Sequence, residues 1–259
     1  MTKEEIIKPE NLVYKKPTLM NDNPMHYCPG CSHGVVHKLI AEVIEEMGME
    51  EKTVGVSPVG CAVFAYNYLD IDWEEAAHGR APAVATAIKR LWPDRLVFTY
   101  QGDGDLACIG TAETIHALNR GENITIIFIN NAIYGMTGGQ MAPTTLLGAK
   151  TTTSKEGRDK VEHGYPIKVS EILSQVEGAA YIERVSVHNP QFLKKAKKSL
   201  LKAFQYQIDK KGFTFIEFLS TCPVNWGMTP KNAMEYVQND MMKYYPVKVF
   251  KDIGEENGE

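Results

Sequence analysis

The chain has 259 residues, of which 44% are hydrophobic and 23% charged, proportions of a soluble globular protein that exclude disorder over most of its length. Its 28 Lys and Arg against 32 Asp and Glu leave a net charge of −4, so no basic excess points to nucleic acid. No apolar run approaches the roughly 20 residues of a membrane helix, and the polar start from Met1 to Glu10 is not a secretory signal. The expectation is a cytoplasmic protein without a membrane partner.

In chain order, residues 1–24 carry Pro9, Pro17 and Pro24 and little periodicity, and read as an N-terminal arm. Ser32 is a candidate N-cap for a helix whose apolar residues, from Val35 to Met47, recur at helical spacing up to Gly48. Thr53 to Ser57 reads as a short strand and Pro82 to Leu91 as a small-residue helix with proline in its first turn. Leu96 to Tyr100 is an apolar strand, Gly102-Asp103-Gly104-Asp105 a sharp turn, Leu106 to Leu118 a helix and Ile124 to Ile129 a second strand. That succession describes a parallel β-α-β unit covered on both faces. Residues 130–165 are rich in Gly, Thr and Pro without periodicity, the kind of long loop that carries function. Strands at Tyr181 to Val187 and Phe213 to Leu219 flank a helix from Pro190 to about Lys210. A helix from Lys231 to Tyr245 precedes a charged tail expected to fray. The organisation is an arm (1–24), one α/β domain (25–230) with a mostly parallel sheet flanked by helices, and a C-terminal helix and tail (231–259).

The Gly102-Asp103-Gly104 turn lies where a parallel strand passes into a helix, the usual ligand position of an open α/β sheet. Glycines there let the backbone approach a phosphate. An aspartate alone would repel that phosphate, unless its carboxylate holds a divalent cation that in turn binds it. Asn130-Asn131 ends the next strand, with Asn131 standing 28 positions after Asp103. One helix and one strand fill that interval, so both segments emerge side by side at one sheet edge. The alternative is that Asp103 caps its helix and the asparagines merely open a loop.

Cys28-Pro-Gly-Cys31 places two thiols in a turn ahead of a helix. Three readings compete: a dithiol redox site, a zinc site completed by Cys61 and Cys222 or by His26 or His33, and a [4Fe–4S] cluster on four thiolates. Spacing alone does not separate zinc from iron–sulfur. Cys108 reads as a small buried residue.

The GDG turn followed after 25 residues by NN is similar to the thiamine diphosphate signature. That resemblance implies Mg²⁺ ligation by the side chains of Asp103 and Asn131 and by the Ile133 carbonyl, with Gly102, Gly104, Asp105, Gly135 and Thr137 around the diphosphate. Further segments extend it: Cys28-Pro-Gly-Cys31, Pro58-Val-Gly-Cys61, His78-Gly79-Arg80, the run from Asn130 to Thr145, and Cys222-Pro. From about Met25 to Pro230 the chain resembles the beta subunit of 2-oxoacid:ferredoxin oxidoreductases. The resemblance implies [4Fe–4S] ligation by Cys28, Cys31, Cys61 and Cys222, and puts His78 and Gly79 near the diphosphate. Arg80 would either hold an anion there or face solvent.

The activity so implied is oxidative decarboxylation of a 2-oxoacid, 2-oxoglutarate or 2-oxoisovalerate, to acyl-CoA and CO₂, with electrons passing through the cluster to ferredoxin. The carboxylate that activates thiamine comes, in relatives, from an alpha subunit, so the chain is expected to be incomplete alone. Gamma and delta subunits join some such assemblies. The absence of a lysine at Thr137-Gly138-Gly139 leans toward an apolar acid without deciding the substrate. The competing class is a non-redox thiamine lyase or synthase with a structural zinc. The lysine-rich helix near 190–211 has a basic face that would steer an acidic ferredoxin, or simply be solvated.

Overall fold

The computed structural model describes residues 8–254; residues 1–7 of the expected arm and 255–259 of the expected tail lie outside the described residues. Seven strands form one sheet: β1 (Thr53–Ser57), β2 (Asp72–Glu75), β3 (Leu96–Gly102), β4 (Thr125–Asn130), β5 (Ala179–Ser186), β6 (Phe213–Leu219) and β7 (Lys248–Asp252). Their spatial order is β2-β1-β3-β4-β6-β5-β7. All neighbours pair in parallel except β7, which runs antiparallel to β5.

Strands β1, β4 and β6 are buried along their whole length, as parallel strands covered on both faces must be. Side chains alternate between two cores. Leu96, Phe98 and Tyr100 of β3 face α1 (His33–Met47) and α5 (Pro190–Ile208), through residues such as Leu39, Ile40 and Phe204. Val97, Ile126 and Phe128 face the other way, against α2 (Ala81–Leu91), α3 (Thr111–Asn119) and the short α4 (Val169–Leu173). Two short helices, α6 (Pro223–Trp226) and α7 (Pro230–Tyr236), follow β6. No helix among the described residues is long and apolar enough to cross a membrane.

Several expectations are corrected. The helix after the GDG turn is not continuous: a wide turn over Asp105–Ile109, closed by Gly110 N–H donating to Asp105 C=O at 2.9 Å, precedes α3. The C-terminal helix is broken in the same way over Val237–Met241. The charged tail does not fray at once, because Lys248–Asp252 adds an edge strand to the sheet. Ser32 stands at the N-cap position of α1 as expected, but its side chain makes no capping bond; its Oγ lies 2.7 Å from Thr221 Oγ1 just past β6. Within the arm, Leu19 is buried and its N–H donates to Glu45 Oε1 at 2.8 Å, while Leu12, Val13 and Tyr14 are exposed.

Beneath β4, β5 and β6 lies a buried polar network that periodicity does not reveal. Arg184 and Glu217 have fully buried side chains, with Arg184 Nε 2.9 Å from Glu217 Oε2. Asn130 Nδ2 donates to Glu217 Oε1 at 2.7 Å, and Arg184 also reaches Glu171 and the Pro246 carbonyl. Burial opposes the charge of this guanidinium, but Glu217 and Glu171 hold its pKa above the usual value. Removing one partner strands the other charge in the core. Arg184→Met is expected to cost about 3–5 kcal/mol in a denaturant titration at neutral pH; a loss below about 1 kcal/mol, typical of exposed pairs, would contradict the network's role.

Candidate functional site

The carboxyl ends of the parallel strands build the site. In the β3–β4 register Gly102 sits opposite Ile129, so Asp103 and the Asn130-Asn131 pair leave the sheet next to each other. A cavity of about 160 Å³ opens there. Its walls include Gly102, Asp103, Gly104, Asp105, His78, Asn131, Ile133, Gly135, Thr137 and Cys61, so most of the residues expected around a cofactor are gathered at one place.

Asn130 and Asn131 diverge. Asn130 turns inward to Glu217, and its Oδ1 accepts from Ala132 N–H at 3.2 Å. Ala132 adopts a left-handed backbone (φ 57°), unusual for a residue with a Cβ and a mark of local strain. The chain thereby turns back, and Ile133 N–H donates to Asp103 Oδ2 at 3.1 Å. The Asn131 side-chain oxygen then faces the Ile133 carbonyl at 2.8 Å and Asp103 Oδ2 at 3.2 Å. Reversing the amide would let its NH₂ donate to both; a cation among the three oxygens satisfies them as they stand. Neighbouring oxygens in an octahedral shell at 2.0–2.1 Å are about 2.9 Å apart. The spacing and the chemistry of the donor set therefore fit Mg²⁺.

Asp103 is buried with no cationic side chain beside it among the described residues. Burial pushes its carboxyl up to about 7, although Thr144 Oγ1 at 2.7 Å and the N–H groups of Ile133 and Gly104 donate to it. Thr144, whose carbonyl accepts from Tyr245 O–H at 2.6 Å, is a support that sequence reasoning missed. No spacing rule points to a threonine 41 residues away.

Asp105 has a different part. Its Oδ1 accepts from His78 Nδ1 at 2.6 Å and Gly79 N–H at 2.9 Å, and its Oδ2 from Gln101 Nε2 at 2.6 Å. This carboxylate pins the His78 loop to the strand tip. His78 lines the cavity but Gly79 does not, contrary to expectation. Arg80 pairs with Glu113 at 2.6 Å, on the outside of the fold. Gly104 is needed because a Cβ there would stand 2.0 Å from the Tyr134 ring that covers it. Cys108 is exposed rather than buried, on the side of the wide turn near Tyr134.

Cys61 and Cys222 close on the rim at Gly135, and Cys28 and Cys31 lie near enough to influence them electrostatically. A Cβ on Gly135 would lie 3.2 Å from Cys61 Sγ and 3.5 Å from Cys222 Sγ. Thr221 Oγ1 donates to Gly30 C=O at 2.7 Å, which ties the Cys28–Cys31 turn to the end of β6. Burial pushes the Cys31 thiol up to about 12 and Cys61 up to about 11, and the other thiols of the set, Cys28 among them, push the same way. Burial also raises Cys222, against hydrogen bonds from Asn225. Such a group ionises together only around a positive centre. Among the described residues, no three His, Cys, Asp or Glu side chains are arranged to hold a single metal ion. Both ring nitrogens of His26 are occupied, by Tyr68 O–H at 2.6 Å and the Cys61 carbonyl at 3.0 Å, and His33 Nδ1 lies 2.7 Å from Tyr100 O–H.

The sequence profile described as "Thiamine pyrophosphate enzyme, C-terminal TPP binding domain" matches residues 58–218. The chain is 36% identical over 220 residues to the 2-oxoglutarate synthase subunit KorB of Archaeoglobus fulgidus, covering 85% of this chain and 78% of that one. It belongs to the thiamine diphosphate-binding subunits of the 2-oxoacid oxidoreductases. The ketoisovalerate oxidoreductase subunit VorA of Methanothermobacter thermautotrophicus is 48% identical over 254 residues, which are 97% of this oxidoreductase-family chain but 53% of VorA. The chain thus spans about half the length of the VorA relatives it matches. The 2-oxoglutarate:ferredoxin oxidoreductase of Magnetococcus marinus shares the fold, with a TM-score of 0.75 at 24% identity over 93% of this chain and 85% of that one. Cys28, Cys31 and Cys222 lie outside the profile match.

A divalent cation held by Asp103 would have to displace a proton from its carboxyl below about pH 7. Divalent-cation affinity is therefore expected to rise with pH, by up to about tenfold per unit on the acid side, and to flatten above neutrality. Calorimetric titration with Mg²⁺ and thiamine diphosphate checks this. Asp103→Asn should weaken binding by about tenfold or more and abolish the slope; a pH-independent parental affinity would contradict the assignment.

Proposed function

We propose that this chain is the beta subunit of a 2-oxoacid:ferredoxin oxidoreductase. The overall reaction converts a 2-oxoacid and CoA to acyl-CoA and CO₂, with electrons leaving singly to ferredoxin. The observation that carries the reading is the meeting of the Asp103, Asn131 and Ile133 polar groups at strand tips, two residues along the same loop from Gly135, against which the Cys61 and Cys222 sulfurs pack.

Asp103, Asn131 and the Ile133 carbonyl would hold Mg²⁺, and Gly102, Gly104, Gly135 and Thr137 would line the diphosphate, with His78 on the opposite wall. Asp105 and Gly79 act behind them, fixing that wall. Bound thiamine diphosphate supplies the carbon acid that makes decarboxylation feasible, and a bound [4Fe–4S] cluster supplies a one-electron acceptor. Cys28, Cys31, Cys61 and Cys222 would each ligate one iron. Both ring nitrogens of His26 are engaged, which supports an all-cysteine centre, as the cluster reading requires.

The cavity lacks a carboxylate for the aminopyrimidine ring. Asp105 is fully engaged by donors, Asp103 faces the cation position, and no Glu lines the cavity among the described residues. This supports a companion alpha subunit that contributes the activating Glu. The walls carry Val59, Ala62, Ile133 and Met136 and no Lys or Arg, which favours the apolar, branched 2-oxoisovalerate over 2-oxoglutarate.

Anaerobic purification with companion chains tests the proposal. The expected protein is brown, holds about four irons per chain, and reduces a dye in a CoA- and 2-oxoisovalerate-dependent way, whereas the isolated chain is inactive. A colourless protein with one zinc, or full turnover by the isolated chain, would overturn it.

A further inference from the structure

Asn225 touches both halves of the proposed centre. It stands in α6, just after Cys222. Its Nδ2 donates to Cys222 Sγ at 3.3 Å and to the Gly135 carbonyl at 3.0 Å. An amide nitrogen carries two hydrogens, and here each has one acceptor: one on the cysteine set, the other on the cavity wall. Two glycines make the contact possible. Any Cβ on Gly135 would crowd Cys61 Sγ at 3.2 Å, and one on Gly139 would lie 3.1 Å from Asn225 Oδ1. The loop after Asn131 therefore lies flat against this amide.

We infer that Asn225 is a positioning residue that couples the charge on the Cys222 sulfur to the placement of the Gly135 loop, and through that loop to thiamine diphosphate binding. The inference rests on the reading of the four cysteines as cluster ligands. A donor bonds more strongly to a sulfur that carries more negative charge, so the Asn225 amide stabilises the reduced cluster and raises its potential. The amide cannot follow the sulfur without drawing on the Gly135 carbonyl. Because linked equilibria are reciprocal, a loop that senses cluster charge also makes cofactor affinity and cluster potential depend on each other.

Asn225→Leu and Asn225→Ser both remove the bridge. They are to be compared with the parent, purified anaerobically with companion chains retained, by an electron paramagnetic resonance redox titration and by calorimetric binding of thiamine diphosphate with Mg²⁺. The expected results are a lower midpoint potential in both variants and a cofactor Kd about tenfold weaker in the leucine variant. A parental midpoint in a variant that assembles its cluster overturns the inference, and a parental Kd overturns it whether or not the cluster assembles. A parent without any iron–sulfur signal marks instead the failure of the cysteine reading.

Discussion

The close packing of the Asp103 carboxylate, the Asn131 amide and the Ile133 carbonyl at two adjacent strand tips is the constraint on which the site depends. The Asn131 amide lies 2.8 Å from the Ile133 carbonyl and 3.2 Å from Asp103 Oδ2, and Asp103 is buried without a basic side chain paired to it among the described residues. Burying a carboxylate this way is unfavourable unless a cation arrives. The fold supplies the geometry through an ordinary property of parallel sheets: adjacent strands end on the same edge. The left-handed Ala132 completes it, since that backbone turn brings Ile133 back over Asp103.

The rest of the molecule can be understood as support for that edge. Glu217 draws Asn130 into the core and so leaves Asn131 as the outward residue of the pair. Thr144 holds Asp103 from behind and is itself held by Tyr245. Arg158 stiffens the long loop by donating to six of its carbonyls, from Ala142, Pro143, Thr145, His163, Gly164 and Tyr165. A loop so tied behaves as part of the scaffold, which suits a wall that must hold a charged ligand in one place.

Much of this was legible from residue order because the signals are local. Apolar runs bounded by turns mark buried parallel strands, and the GDG–NN interval needs only one helix and one strand to bring its ends together. What was not legible depends on contacts distant in sequence. Arg158, Thr144 and Asn225 look like ordinary loop polar residues until the chain is folded. The break at Gly110 follows from Asp105 being tied to His78 and Gln101, a tertiary demand that overrides helical periodicity. The edge strand Lys248–Asp252 has too few apolar residues to announce itself and forms because β5 offers an open edge. Residue type alone places Cys108 in the interior, whereas the wide turn leaves it exposed near Tyr134.

The account stands on a metal ion at the junction of β3 and β4. Crystals grown anaerobically with thiamine diphosphate and Mn²⁺ in place of Mg²⁺ would locate it by anomalous scattering. One manganese peak is expected within bonding distance of Asp103, Asn131 and the Ile133 carbonyl. Clear density for the cofactor with no peak among those three oxygens, or with the Asn131 amide reversed to donate to them, would contradict it.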